Sequence, residues 1–155
     1  FLGYDYGEHA PGRREPAARQ RAVHHLLLAH GLALPRLRAQ APASRQGIVL
    51  NFTPAYPFRS GDPRDTEAVR RHETFNHQVF LEPLMNGAYP AEVLEHALGD
   101  GYPIEAGDMR TIAAPLDFLM LDNSPHGCTY GPERELVGTL AADFAARVVD
   151  KPAGA

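Results

Sequence analysis

Histidine and cysteine are the residue types in this 155-residue chain that most readily suggest metal or nucleophilic chemistry. Two metal ligands share a helix face when they lie three or four residues apart. His30 lies six residues after His24 and five residues after His25. His72 and His77 are five residues apart, so none of these pairs is well placed for a shared metal ion. We therefore predict no metal site and no cofactor, with the histidines serving as core or surface side chains.

Thiol catalysis and phosphate binding are equally poorly supported. Cys128 lies two residues after His126, but a catalytic thiol needs a base that meets the sulfur in space and a third group that orients the base. The glycine pairs at 3–7 and 99–101 lack the preceding strand and the Lys-Ser/Thr ending of a phosphate-binding loop. The sequence predicts neither a thiol nucleophile nor a nucleotide site.

Composition limits the possible partners and the compartment. The formal charge of −4 argues against a nucleic-acid surface, which needs clustered cationic side chains. No apolar run approaches the roughly 18 residues that cross a bilayer, so we expect no membrane segment. A single cysteine cannot form an internal disulfide. We therefore expect a cytoplasmic location.

Hydrophobic periodicity predicts alternating helices and strands. The predicted elements are, in chain order, a helix at 22–34 that Pro35 ends or kinks, a strand at 47–52, a helix from Pro63 that Pro83 closes, a short helix at 90–98 capped by Gly99, a strand at 113–121 and an amphipathic helix at 132–149. In the first helix, the predicted buried face is formed by Val23, Leu26, Leu27 and His30. Both strands are nearly continuous apolar runs, which is typical of parallel strands covered on both faces. The alternation indicates an α/β fold with a parallel sheet.

Five ordered segments resemble glycoside hydrolase family 1, the β-glucosidase family of retaining enzymes built on a (β/α)8 barrel. The segments are the loop Gly3-Tyr4 through His9-Ala10-Pro11-Gly12, the helix Ala22 to Gly31, the strand Gly47 to Asn51 with Tyr56-Pro57, the stretch Phe80 to Pro90, and Pro115 to Leu119. They follow one another in the order and spacing of that family. The resemblance covers residues 1–119 and implies a partial TIM barrel, running from just after strand four to strand six.

The resemblance also implies a division of the chain. Residues 1–124 are expected to form the partial barrel, and residues 125–155 a divergent C-terminal loop and helix that adds to it. A complete barrel of eight strands typically needs about 250 residues.

The catalytic carboxylates of the family are not found in this sequence. Family members carry the acid/base glutamate in a Thr-x-Asn-Glu-Pro motif and the nucleophile in a Thr-Glu-Asn-Gly motif, and neither occurs among these 155 residues. Leu81-Glu82-Pro83 is a partial match, but Leu81 replaces the required Asn and the segment falls at a helix end. We therefore expect Glu82 to be structural and these residues alone to hydrolyse nothing measurable.

Substrate contacts are predicted at the ends of the two strands, because barrel enzymes present functional side chains at the carboxyl ends of their strands. Asn51 ends the first strand and Tyr56 lies in its loop. After strand six the family reads Gly-x-Asn-Tyr-Tyr, which corresponds here to Met120-Leu121-Asp122-Asn123-Ser124. Asp122 and Asn123 are therefore the remaining substrate-binding positions, and the resemblance implies a β-linked sugar as the partner.

A second hypothesis remains open from the sequence. The chain could be a stand-alone α/β module that binds a partner or a sugar without catalysis. In either case, strands at the open edges of a partial sheet favour self-association.

Overall fold

A computed structural model of the chain describes residues 1–122, with side chains through residue 121. In chain order the described elements are a π-helical turn at Leu2–Tyr6, α1 at Pro16–Gln40, β1 at Gly47–Asn51, α2 at Pro63–Glu73, a π-helical turn at Thr74–Gln78, α3 at Val79–Asn86, α4 at Ala91–Glu95, α5 at Asp108–Ile112 and β2 at Phe118–Asp122. The helix predicted at 132–149 and the predicted C-terminal segment at 125–155 lie outside the described residues.

β1 and β2 are neighbours in a two-stranded parallel sheet. The register pairs Gly47 with Phe118 at the start of the ladder and Asn51 with Asp122 at its end. Four helices lie between the two strands along the chain. The predicted parallel arrangement is therefore confirmed.

The two faces of this sheet differ in their exposure. Ile48 and Leu50 pack against the buried core of the helices. On the opposite face, the paired residues Val49 and Met120 are 54% and 55% exposed. Among the described residues the strands are thus covered on one face, and the expectation of cover on both faces is wrong for this part of the chain.

The core lies between the helices and the inner face of the sheet. Its buried members come from α1, α3, α4, α5 and the turn before α4, and they are Val23, Leu27, Val79, Leu84, Tyr89, Val93 and Ile112. Apolar burial of this kind is the main stabilising contribution in a domain of this size.

The buried face of α1 is rotated from the predicted one. Leu26, expected inside, is 68% exposed, whereas His24 and Gly31 are buried beside Val23 and Leu27. His24 can be buried because both of its ring nitrogens have hydrogen-bond partners. The spacing of apolar residues in the sequence does not reveal which buried polar side chains will find hydrogen-bond partners.

Pro35, predicted to end or kink the first helix, and Pro83, predicted to close the second, both lie inside helices. α1 continues through Pro35 to Gln40, and its last turns are held by Arg38, whose guanidinium donates to Asp117 at 3.0 Å and to the carbonyl of Pro115 at 2.7 Å. Pro83 is fully buried in α3, where apolar burial offsets the lost backbone hydrogen bond.

Helix ends follow sequence signals more closely. The Asp62 carboxylate caps α2 by accepting from the backbone N–H of Arg64 at 2.9 Å. α3 ends at Gly87 in a left-handed conformation with φ of 67°. α4 is shorter than the stretch predicted at 90–98 and ends at Glu95.

The second strand begins later than predicted. The unpredicted helix α5 occupies the approach to it and ends at Ala113, so strand geometry begins at Phe118 and not at residue 113. Asp117 fixes that start: its N–H donates to the carbonyl of Gln46 at 2.7 Å, and its carboxylate accepts from the N–H of Gln46 at 2.6 Å. This second bond is the main cause that lowers the pKa of Asp117.

Candidate functional site

The ladder brings two of the predicted substrate-binding positions together. Asn51 and Asp122 are paired in register at the carboxyl ends of β1 and β2. Asn51 is exposed at this edge. Carboxyl ends of parallel strands are where barrel enzymes carry their functional side chains. We call this end of the two-stranded sheet the carboxyl edge.

The chain leaving the carboxyl edge is anchored to the helices. Phe52 is buried, and its ring stacks on the ring of His77 with centroids 4.5 Å apart. The carbonyl oxygen of Thr53 lies 3.1 Å from Nε2 of His77. Phe52 and Thr53 are therefore both held by the side chain of His77, which belongs to the π-helical turn Thr74–Gln78.

Tyr56, the third predicted site residue, is exposed in the loop between β1 and α2. The end of that loop is braced by Arg59, whose guanidinium donates to the Asp65 carboxylate at 3.0 Å and forms an ion pair with Asp62 at 3.1 Å. These contacts lower the pKa of Asp65, chiefly through the hydrogen bond from Arg59. Asn123, the fourth predicted residue, lies outside the described residues.

Glu82, the carboxylate with a partial motif match, lies in the first turn of α3. Its Oε2 accepts a hydrogen bond from the side-chain amide of Asn86, one helical turn further on. It is therefore tied to its own helix, whereas a retaining glycosidase holds two carboxyl groups about 5 Å apart across a sugar.

A polar cluster in the helical layer was not predicted. His24 is 0% exposed, with Nδ1 lying 3.0 Å from the Tyr89 hydroxyl and Nε2 lying 3.0 Å from the Asp108 carboxylate. The backbone N–H of Glu105 and the bond from His24 lower the pKa of Asp108, so Nε2–H donates to an ionised carboxylate. Burial raises the pKa of Tyr89, which keeps its hydroxyl protonated.

This buried cluster links three elements of the fold. The contacts of His24 with Asp108 and Tyr89 resemble those of a catalytic histidine. Because the His24 ring is fully buried, a substrate cannot reach it, and we interpret the cluster as structural. Its partners are 65 and 84 residues away in the chain, and no local spacing could have revealed them.

Two further findings concern metals and membranes. In the part of the chain that the structure describes, no three His, Cys, Asp or Glu side chains are grouped closely enough to hold a metal ion. None of the helices among residues 1–122 is both long and apolar enough to cross a bilayer.

Adjacent parallel strands, a helical connection between them, and polar positions at their carboxyl ends define an α/β protein with a parallel sheet. The chain belongs to glycosyl hydrolase family 1, whose family model matches residues 1–141. The resemblance seen in the sequence is therefore confirmed, and with it the partial TIM-barrel fold.

Two relatives of known function are β-glucosidases, in agreement with this family. The β-glucosidase of an Agrobacterium species is 41% identical over 123 residues, which is 79% of this chain and 26% of that enzyme. β-Glucosidase A of Thermotoga maritima is 38% identical over 141 residues, covering 86% of this chain and 30% of that enzyme. The chain thus spans about a quarter to a third of the length of these two relatives.

Solved structures show the same fold. The psychrophilic β-glucosidase BglU of Micrococcus antarcticus superposes with a TM-score of 0.70 at 49% identity, covering 77% of this chain and 26% of that one. The virulence factor SghA, solved with its substrate analogue salicin, superposes with a TM-score of 0.79 at 29% identity, covering 92% and 38% of the two chains. Both comparisons cover part of a longer enzyme.

Proposed function

We propose that this chain supplies the strand-five and strand-six portion of a retaining β-glucosidase barrel, and that its carboxyl edge contacts a terminal β-linked sugar. The observation that carries the proposal is the parallel ladder, which places Asn51 and Asp122 side by side at the edge where barrel enzymes bind substrate. Membership of glycosyl hydrolase family 1 supports a glycoside as the ligand.

The chemistry of these positions suits sugar binding. The side-chain amide of Asn51 both donates and accepts hydrogen bonds, as does a sugar hydroxyl. The exposed ring of Tyr56 offers an apolar face of the kind that pyranose rings contact, with a hydroxyl at its tip. Asn123 is included in the proposal through its correspondence to the family segment after strand six.

We further propose that these 155 residues bind without hydrolysing. Retaining hydrolysis needs one carboxyl group as proton donor and another as nucleophile. The sequence contains neither of the family's two glutamate motifs. The proposal therefore assigns ground-state contacts to this portion of the barrel and the covalent chemistry to segments that it does not contain.

An assay of aglycone release tests the catalytic part of this proposal. Salicin, the analogue bound by SghA, is an aryl glucoside, so an aryl β-glucoside is the suitable probe. We expect no turnover above the uncatalysed rate for the chain or for Glu82→Gln. Turnover that Glu82→Gln abolishes would contradict the proposal and make Glu82 catalytic.

We also propose that the chain associates with itself through the open edges and the exposed apolar face of its sheet, and that it is located in the cytoplasm. The association is supported by the exposed apolar pair Val49 and Met120 and by the short, two-stranded sheet. The location is supported by the single cysteine, and cell fractionation would test it.

A further inference from the structure

The helical run from Pro63 to Asn86 changes geometry in its middle. α2 and α3 are α-helical, but Thr74–Gln78 between them is π-helical. A π-helical turn contains an extra residue, so it rotates the following side chains relative to the preceding ones, and such turns are frequent at functional sites. Two side chains of this turn, Thr74 and His77, are buried.

His77 is held against the two residues that directly follow the carboxyl edge. Its ring stacks on Phe52 at an interplanar angle of 27°. Its Nε2 is within hydrogen-bond distance of the Thr53 carbonyl oxygen. Because a carbonyl oxygen can only accept, Nε2 must carry the proton and donate it. We call this unit of His77, Phe52 and Thr53 the exit clamp.

The surroundings of His77 favour its neutral form. The residue is 7% exposed, and burial is the main cause that lowers its pKa below the ordinary value of 6.5, with electrostatic repulsion from the protonated form of His72 adding to the effect. The hydrogen bond to Thr53 opposes these two causes. His72 meets the ring edge-on at 5.4 Å, and its own Nδ1 accepts from the Asn76 amide at 3.3 Å. The described contacts of the His77 ring include no carboxylate.

We propose that His77 is a positioning residue of the carboxyl edge. As a neutral imidazole with its proton on Nε2, it fixes the backbone that leaves β1 and thereby orients Asn51 toward a ligand. The inference rests on the proposed function only in taking Asn51 as a sugar contact. The exit clamp itself is a property of the folded chain, and acid is expected to loosen it.

The first test is the tautomer and local stability of the full chain, measured by NMR. The ¹⁵N shifts of the His77 ring should show a protonated Nε2 and a bare Nδ1 at neutral pH. His77→Phe keeps an aromatic stack and removes the donor, so amide exchange at residues 51–53 should rise about fivefold, the equivalent of one net hydrogen bond. His77→Gln restores an N–H donor and should recover part of the protection. His96→Phe replaces an exposed histidine and should leave residues 51–53 unchanged.

The second test is pH. Because the pKa of His77 is lowered by folding, the unfolded chain takes up its proton first, and the associated stability is lost as the pH falls below about 6.5. The protection factors of the amides at residues 51–53, which are corrected for the intrinsic pH dependence of exchange, should therefore fall below that pH in the wild type, and this fall should be missing from His77→Phe.

Three results separate the two proposals. A ring protonated on Nδ1 alone, or unchanged exchange in His77→Phe, would overturn the exit clamp, and the first readout needs no variant to fold. Titration of the wild type with phenyl β-D-glucoside tests the sugar contact separately. If the exit clamp shows the expected behaviour and the sugar causes no shifts, the clamp stands and the proposed function fails.

Discussion

His24 shows how a single buried polar side chain can join elements that are far apart in the sequence. It lies on α1, and its two nitrogens meet the turn before α4 and the first residue of α5. A buried polar group is tolerated when its hydrogen bonds are satisfied, and removing one partner leaves the other with an unfavourable desolvation cost. The cluster therefore specifies how these three elements pack.

Replacement of His24 should be costly. His24→Phe keeps the ring volume but leaves the Tyr89 hydroxyl without its buried partner, so we expect a loss of about 1–3 kcal/mol in the free energy of unfolding. Urea denaturation measures this difference. His25→Phe alters the exposed neighbour on the same helix and should change stability by less than about 0.5 kcal/mol. Equal effects of the two substitutions would contradict the structural role of the cluster.

The partners of individual side chains are the feature that the sequence predicts least completely. Asn51 could be selected because it ends an apolar strand, a local signal that the ladder then confirmed as a strand end. His24 and His77 were identified only as histidines without metal spacing. Their partners come from segments 24 to 84 residues away, so only the folded chain could reveal them.

At the scale of elements, the contact between α1 and α5 depends on a glycine. A Cβ at Gly31 would lie 2.2 Å from the backbone carbonyl oxygen of Thr111, closer than any real contact. Glycine disfavours helices, so Gly31 taken alone would weaken α1. The structure gives the compensating reason, which is that only glycine lets the two backbones approach this closely.

The substitution Gly31→Ala distinguishes helix propensity from close packing, because the two change the stability of the chain in opposite directions. Helix propensity alone would stabilise the chain by about 1 kcal/mol. The clash with backbone should outweigh that gain, so we expect a net loss of stability and a lower midpoint of thermal unfolding, followed by circular dichroism. Leu32→Ala removes an exposed side chain next to Gly31 and should have a small effect. A rise in the midpoint for Gly31→Ala would show that α1 and α5 do not pack closely.

Local rules predicted element types better than element ends. The predicted helix start at Pro63 is correct, and Asp62 caps the helix there. The predicted end of the helix at Pro83 is wrong, because the buried ring of Pro83 stabilises the turns around it, and α1 continues past Pro35. α5 was missed because five residues carry too little periodicity to distinguish a helix from a loop.

In the part of the molecule that the structure describes, the sheet has one face covered by helices and one exposed apolar face. Parallel strands are normally covered on both faces. A second copy could cover Val49 and Met120, which is the basis of the proposed self-association.

Sedimentation over a range of concentrations tests this association. The average mass of the wild type should rise with concentration, and Met120→Lys should lower it toward that of one chain. Leu26→Lys adds the same charge at an exposed position of α1 and should leave the association unchanged. A wild type that stays monomeric at every concentration would exclude association through the sheet.

Chemical-shift mapping during titration with phenyl β-D-glucoside shows whether the carboxyl edge of β1 and β2 contacts a sugar. We predict saturable amide shifts concentrated at residues 51–56 and 118–122, with weaker shifts in Asn51→Ala. Shifts that map only to the helical layer, or no shifts at millimolar sugar, would contradict the claim.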